Sequence, residues 1–279
     1  MRLLREGKVK NIFQLENGNL LLKFSDRVSA FDIKFDQKIP NKGRILCRFA
    51  NFWFGKLDVP NHFIGMRQDD AMEVKRLSMI PYEFIVRGYY YGSMLERYTI
   101  ASDFKYLFGK DLTLKKGAKL PYPIFEITTK SEDHDVPVER GEVLESGILM
   151  GGTLKEIEDI SLAIYDAMGS ISKQSGFIIA DVKLEFGFDG HNELTLADSI
   201  GPDESRIWLE KDYQPGQTQG SYDKQLLRDW LIEIGFKQEM LRLASRGESP
   251  KPPIIPEYLI NEMSGRYIYV YEKITGEKM

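Results

Sequence analysis

Cysteine and histidine are both scarce in this sequence, which has one cysteine, Cys47, and three histidines among its 279 residues. A single thiol excludes an intrachain disulfide and every zinc or iron–sulfur site built from several cysteines. The histidines are too few and too widely separated to predict a metal cluster. Cys47 lies beside Leu46 and Phe49 on a predicted helix face, so we interpret it as a core residue and not as a nucleophile.

Neither a strong net charge nor a long apolar run is present. The 38 lysines and arginines nearly balance 42 aspartates and glutamates, and the formal net charge is −4. Because nucleic-acid coat proteins bind through phosphate neutralisation, this balance argues against nucleic acid as a partner. No stretch approaches the roughly 18 apolar residues of a membrane span, and residues 1–7 lead into no apolar signal segment. We therefore expect a soluble, cytoplasmic protein without a membrane partner.

At about 150 residues per domain, the length suggests two domains or one large one, and the 42% apolar content supports a sizeable core. Residues 1–80 are rich in strand patterns, and two apolar runs flank Asn17-Gly18, which is typical of a hairpin. A helical period begins at Gly43 and ends before Pro60. We therefore predict that the first 80 or so residues are rich in β-strands.

Beyond these residues, helix and strand patterns mix. The predicted elements are a strand at 82–87, a helix at 154–171, a strand at 177–188, a returning strand at 193–198, a helix capped by Ser221 that runs to Ile234, and a last helix from Pro256 to about residue 273. Residues 201–220 form the longest loop-like stretch, and long loops often carry function.

The segment 181–185 places Asp181, Lys183 and Glu185 on one face of a predicted strand. Folding the hairpin so that residue 188 pairs with residue 193 puts Lys183 opposite Asp198. Glu185 then lies diagonal to Asp198, at roughly 7–8 Å between Cα atoms. Two carboxylates at this spacing suit Mg2+ carrying nucleotide phosphates. The alternative is an exposed sheet face with cross-strand ion pairs.

Two further segments have the chemistry of phosphate binding. In Gly7-Lys8-Val9-Lys10 the glycine allows close backbone approach, and alternate lysines share one side of a strand. The string is not a Walker A motif, and a solvated basic strand end is the alternative. Residues 87–93 offer the Arg87 fork and the Ser93 hydroxyl as a phosphomonoester site. An aromatic loop that packs the domain junction would explain the same residues.

Taken in order, these strings resemble the SAICAR synthetase family of purine biosynthesis. The matching segments are 7–10, 25–32, 81–93, 128–130, 134–135, 181–187, 202–208 and 223–230. The resemblance implies an α+β fold with ATP in a cleft between a β-rich, nucleotide-binding N-terminal lobe at 1–80 and a larger α+β C-terminal domain at 81–279. It implies an ATP-dependent ligase that joins the carboxylate of CAIR, a ribonucleotide with a 5′-phosphate, to the amine of L-aspartate. The products would be SAICAR, ADP and phosphate, formed through an acyl phosphate.

The resemblance also implies roles for individual residues. Those near ATP would be Lys8 and Lys10 at the phosphates, and Lys75 and Met79 at the adenine. Those that bind CAIR would be Arg87, Ser93 and Arg206 at its phosphate, and Asp135 and Lys183 elsewhere. Those near the reacting groups would be Asp32, Lys130, Asp181 and Lys183. Glu185 and Asp198 would hold Mg2+, and either Asp32 or Asp181 would deprotonate the amine of aspartate. The sequence leaves the oligomeric state open, with a homodimer as one candidate.

Three positions depart from the family pattern. Ser199 follows Asp198 where a second acid is common, which leaves the number of metal ligands open. Residues 126–128 and the pair Glu204-Ser205 also differ from the usual residues. Two other functions would use a similar set of charges: a small-molecule kinase, which would not consume aspartate, and a nucleotide-binding module without turnover.

Overall fold

The computed structural model describes residues 1–31, 33–130, 136–248 and 250–279. Its strands are β1 (Arg2–Glu6), β2 (Lys10–Gln14), β3 (Leu20–Phe24), β4 (Arg27–Ala30), β5 (Ile33–Lys38), β6 (Phe63–Gln68), β7 (Ala71–Val74), β8 (Ser78–Met79), β9 (Tyr82–Tyr89), β10 (Lys119–Thr129), β11 (Pro137–Val138), β12 (Phe177–Phe188), β13 (Leu194–Ala197) and β14 (Ser205–Leu209). Its helices are α1 (Lys42–Lys56), α2 (Met94–Arg97), α3 (Ala101–Phe108), α4 (Arg140–Glu145), α5 (Gly151–Gln174), α6 (Gln225–Glu233), α7 (Phe236–Ala244) and α8 (Glu257–Thr275). This mixture confirms the predicted α+β class.

The first sheet is antiparallel and has the strand order β1-β2-β3-β7-β6. The predicted hairpin is confirmed as β2 and β3, with Gly18 at φ 87° in the turn. Helix α1 begins where the Asp26 carboxylate accepts the N–H of Gly43 at 2.9 Å. A Cβ on Gly43 would lie 2.9 Å from the backbone of Ser25. Only glycine therefore lets α1 approach the end of β3 so closely.

The second sheet is organised around β12, which has the predicted bounds. Its path is β11-β10-β9-β12-β13, and β14 and β8 also pair with β12. The first half of β12 pairs with β9 and β14, whereas its second half pairs with β13 and β8. A single strand, β12, therefore contacts four other strands along its length.

The predicted register of the hairpin after β12 is wrong by one residue. Phe188 pairs with Leu194 and Glu185 with Ala197, so Lys183 does not face Asp198. The loop holds five residues because the Asp189 carboxylate accepts the N–H groups of residues 191 and 193. The strand ends at Ala197, since Asp198 takes a left-handed conformation with φ 61°.

Several other elements differ from the sequence prediction. Strand β10 was not predicted because Pro121 and Pro123 interrupt its pattern. Both prolines lie where the pairing with β9 is irregular, between Lys119 and Ile124, so no regular ladder hydrogen bond is lost there. Helix α7 was also missed, and the stretch read as a loop at 201–220 contains β14.

The cap of α6 is another correction. Ser221 does not cap this helix; the carboxylate of Asp223 accepts the N–H of Gln225 at 2.6 Å and that of Ile207 at 2.9 Å. Asp223 therefore ties the start of α6 to β14. Burial raises the pKa of Asp223 to about 6.

The main hydrophobic core joins α1, β9, β12, α5 and α8. Phe49 of α1 meets Tyr271 of α8 edge to face, with 5.3 Å between ring centroids. Cys47 is fully buried in this core, as predicted, and burial raises its pKa to about 12. Because α8 packs against α1, the end of the chain stabilises its beginning. The division at residue 80 stays a prediction.

None of the helices in the described ranges has the length and apolar character needed to cross a membrane.

We expect the buried carboxylate of Glu73 to hold the first sheet together. It accepts hydrogen bonds from Asn17 at 2.8 Å and Asn19 at 2.6 Å, and from Arg67 Nε at 2.6 Å. These bonds, led by that from Asn19, lower its pKa to about 2. Glu73→Ala should therefore cost about 2–3 kcal/mol of unfolding free energy at pH 7, measured by urea denaturation.

The pH dependence of the unfolding free energy tests whether the ionised carboxylate of Glu73 causes this stabilisation. A carboxylate with a lowered pKa stabilises the fold above its unfolded pKa of about 4.5, and loses that effect as the pH falls toward 2. The difference between wild type and Glu73→Ala should shrink over this window. The control is Glu16→Ala in the turn between β2 and β3, next to Asn17; this side chain is exposed, and its loss should change stability by less than about 0.5 kcal/mol. A difference that stays constant down to pH 2.5 would contradict the assignment.

Candidate functional site

Two lysines and two carboxylates form the first cluster of the site. Lys10, at the start of β2, donates to Asp198, which follows β13. Lys130, which follows β10, donates to Glu185 of β12. Lys10 also donates to the Ser199 hydroxyl at 3.0 Å. The left-handed turn at Asp198 redirects its carboxylate out of the strand pattern, so it meets Lys10 across the two sheets.

The pKa values in this cluster show how closely its charges interact. Burial raises the pKa of Glu185, and the Asp198 carboxylate raises it further. Burial also acts to raise the pKa of Asp198, but Lys10 and Lys130 outweigh it and the net shift is downward. For Lys10, burial opposes the charged form, yet Asp198 leaves its pKa raised. The two carboxylates therefore share the same pair of cations.

The donor set fits a hard divalent cation. Glu185 and Asp198 present carboxylate oxygens from neighbouring strands, and their mutual repulsion would be relieved by a metal ion. No group of three histidine, cysteine, aspartate or glutamate side chains able to hold a metal exists among the described residues. Mg2+ is usually bound by one or two carboxylates together with phosphate oxygens and water, and this pair fits that arrangement.

The glycine turn before β2 and the connector before β9 border this cluster. The N–H of Gly7 donates to the carbonyl of Lys10 at 2.8 Å, and a Cβ on Gly7 would lie 2.7 Å from that oxygen. Lys8 is half-buried in this turn. In the connector, the side chains of Lys75 and Met79 are exposed. Met79 pairs with Gly187 of β12, which is two positions after Glu185 on the same strand. The connector therefore lies beside the end of the strand that carries Glu185.

A second cluster runs across three strands as a row of charged side chains. Asp181 of β12 lies opposite Arg87 of β9 on one side and opposite Arg206 of β14 on the other. Its Oδ2 accepts from Arg87 Nη1 at 3.0 Å and from Arg206 Nη1. Arg87 Nε also donates to Glu126 of β10 at 2.5 Å. Cross-strand neighbours on one face of a sheet produce these contacts.

The loop after β9 closes over this row. Arg87 Nη2 donates to Ser93 Oγ at 3.1 Å. A Cβ on Gly92, where φ is 64°, would lie 2.5 Å from the Arg206 guanidinium. The glycine therefore lets the loop contact Arg206 directly. The structure thus brings together the three predicted phosphate ligands, Arg87, Ser93 and Arg206.

Lys183 lies between the two clusters. Its Nζ is 2.7 Å from Glu83 of β9, not opposite Asp198 as the predicted register implied. Among the predicted site residues, Asp32 and Asp135 lie outside the described residues.

The sequence reasoning missed several charged residues beside these clusters. Glu126 and Arg97 extend the row. Lys224, which precedes α6, interacts electrostatically with Lys183, and Arg228 of α6 does so with Arg206. Burial lowers the pKa of Lys224 to about 8 and also lowers that of Arg228. A signal was available for this pair, since residues 224 and 228 are four apart on a helix and share one face. Glu204 lies nearby, and burial, followed by Asp203, raises its pKa to about 7.

Comparisons with known proteins agree with the predicted resemblance. Residues 3–243 match the family model described as SAICAR synthetase. A phosphoribosylaminoimidazole-succinocarboxamide synthase of Nitrosopumilus maritimus is 45% identical over 279 residues, with 100% of both chains covered. That of Corynebacterium glutamicum (strain R) is 37% identical, with 99% of this chain and 94% of the relative covered.

Solved structures extend the likeness to the fold. The SAICAR synthase from Saccharomyces cerevisiae complexed with SAICAR has a TM-score of 0.79 at 30% identity, covering 100% of this chain and 96% of that one. A SAICAR synthetase (Type-2) in complex with ADP has a TM-score of 0.76 at 27% identity, covering 100% and 99%. The family match over most of the sequence and the full-length relatives lead to one conclusion: this chain belongs to the SAICAR synthetase family.

Proposed function

We propose that this chain is an ATP-dependent ligase that joins the carboxylate of CAIR to the amine of L-aspartate, giving SAICAR, ADP and phosphate. The observation that carries the proposal is the placement of both charged clusters on β12. Glu185 lies four positions after Asp181 on this strand, a distance of roughly 13 Å at about 3.3 Å per residue. One ribonucleotide can span this distance, with its phosphate at the arginines and its base at the lysines. The relatives whose structures hold ADP and SAICAR support the same substrates.

The chemistry explains why the two clusters are needed together. A carboxylate is a poor acyl donor, so ATP must first convert it to an acyl phosphate. Lys8 and Lys10 would bind the ATP phosphates, and Lys130 would stabilise charge near the reacting carboxylate. Glu185 and Asp198 would hold Mg2+, which would neutralise charge on the phosphates when bound. The exposed side chains of Lys75 and Met79 would border the adenine.

The remaining roles concern CAIR and the incoming amine. Arg87, Ser93 and Arg206 would bind the 5′-phosphate, while Asp135 and Lys183 would contact the rest of the nucleotide. The amine of aspartate must lose a proton before it attacks. Asp181 already accepts bonds from Arg87 and Arg206, which favours a role in placing these arginines. Asp32 is then the preferred base.

The first test is an ADP-release assay. We expect ADP and phosphate to form only when both CAIR and L-aspartate are present, because the acyl phosphate must be consumed by the amine. A kinase would release ADP without aspartate and leave a stable phosphorylated product. A non-catalytic nucleotide-binding module would bind ATP without turnover. Either result would overturn the proposal, as would turnover of CAIR analogues that lack the carboxylate.

The second test concerns the metal. Glu185→Gln and Asp198→Asn should each lower the rate at least about 100-fold, because each removes a charge that orders the transition state. Steady-state kinetics at saturating Mg2+ measure the effect, and circular dichroism checks the fold. Glu193→Gln, an exposed glutamate in the same hairpin, is the matched control and should keep full activity. Near-normal activity of either site variant would argue against the assignment.

The third test concerns the CAIR phosphate. Arg87→Ala and Arg206→Ala should each raise the KM for CAIR by roughly 10–100-fold, the range expected for a charge-assisted hydrogen bond. The KM for ATP should change little. With the dephosphorylated nucleoside, the variants should perform about as poorly as wild type. An equal loss on nucleoside and nucleotide would mean that the arginine does not bind phosphate.

A further inference from the structure

Glu126 holds two arginines that come from different elements. Its Oε2 accepts from Arg87 Nε of β9 at 2.5 Å, and its Oε1 accepts from Arg97 Nη2 of α2 at 2.6 Å. The glutamate side chain is only 9% exposed. Burial acts to raise its pKa, but Arg87 and Arg97 outweigh it and the net shift is downward. The carboxylate is therefore ionised and fixes the two guanidinium groups relative to each other.

Arg97 has donors that the protein leaves unused. Its Nε is buried and has no hydrogen-bond partner within the described part of the chain. Its side chain is 25% exposed, against 5% for Arg87. A buried donor without an acceptor costs free energy, and a guanidinium has five N–H groups to satisfy. Arg97 lies four residues after Ser93, and its backbone N–H donates to the Ser93 carbonyl at 3.3 Å, so the two side chains are neighbours on one face of this turn. A ligand at Ser93 would therefore lie close to the Arg97 guanidinium.

The whole row has an excess of positive charge. Along it, Arg97, Glu126, Arg87, Asp181 and Arg206 alternate in sign. Three guanidinium groups against two carboxylates leave one net positive charge. Arg206 at the opposite end also has a buried Nε without a partner among the described residues. Both ends of the row thus offer unused donors, as expected for a site that takes a dianion.

We propose that Arg97 is a third arginine that binds the phosphomonoester, and that Glu126 is a positioning residue that sets Arg87 and Arg97 for it. This rests on the proposed function, in which the phosphomonoester is that of CAIR. Glu126 touches no substrate; it acts through the two arginines. Arg97 adds recognition of the phosphate without touching the reacting carboxylate.

The test uses the full chain and two readouts. Arg97→Met keeps most of the apolar stem and removes every donor. We expect the KM for CAIR to rise about tenfold, while kcat and the KM values for ATP and L-aspartate change less than threefold. Calorimetry with ribose 5-phosphate as the probe, without ATP, should show a similar loss of affinity. Arg242→Met removes an arginine from an exposed pair with Glu239 and is the matched control, expected to leave all values unchanged.

The Glu126→Gln variant distinguishes two effects of Glu126 on phosphate binding: the positioning of the arginines and the simple presence of a negative charge. Removing a negative charge beside a phosphate site should tighten phosphate binding if electrostatics alone mattered. Loss of the ionised bridge should instead weaken it, because neither arginine is held in place. We expect a several-fold weaker affinity for ribose 5-phosphate and a higher KM for CAIR, with thermal unfolding measured to confirm the fold. Unchanged or tighter binding would overturn the role of Glu126.

The two proposals fail in distinguishable ways. If wild type forms SAICAR but Arg97→Met keeps normal KM and ribose 5-phosphate affinity, the inference fails and the function stands. If wild type forms no SAICAR but binds ribose 5-phosphate through Arg97, the function fails and the phosphate site stands. If wild type neither uses CAIR nor binds ribose 5-phosphate, both are wrong.

Discussion

The site depends on the polar face of β12, where each charged side chain needs a partner of opposite charge. Charged side chains at three alternate positions, 181, 183 and 185, must each find an opposite charge on a neighbouring element. Their partners are Arg87 and Arg206 for Asp181, Glu83 for Lys183, and Lys130 for Glu185. The pairs of Asp181 with Arg87 and Arg206 are buried, and breaking a buried pair costs about 3–5 kcal/mol, so β9 and β14 are held in one arrangement beside β12. The two charged clusters are then fixed at a set separation.

The opposite face of the same strand supplies the rigidity. Val182, Leu184 and Phe186 are all buried in the main core, so the charged face cannot rotate. Phosphoryl transfer and recognition of a phosphomonoester both gain from charges placed before the substrate arrives. A strand with one apolar and one charged face would therefore let a single element serve both proposed subsites.

Local patterns predicted the fold better than they predicted the contacts. The bounds of β12 and the hairpin of β2 and β3 follow from periodicity and an Asn-Gly turn. The register of the hairpin after β12 could not be predicted in this way, because the hydrogen bonds of Asp189 lengthen the loop by one residue. Strand β10 was not predicted because its two prolines interrupt the strand pattern. The ordered motifs predicted Arg87, Ser93 and Arg206 as phosphate ligands, and the three lie close together, but their role in phosphate binding stays a prediction. The bridges through Asp181 and Glu126 arise from strand order, which no local pattern encodes.

The central claim is that the carboxylate of CAIR is activated by ATP and then taken by the amine of aspartate. Labelling both carboxylate oxygens of CAIR with 18O tests this most directly. Attack of one labelled oxygen on the γ-phosphorus, followed by attack of the amine on the carbon, leaves that oxygen on the released phosphate. Mass spectrometry should find one 18O in the phosphate and one in the amide of SAICAR. Release of unlabelled phosphate together with SAICAR would contradict the account.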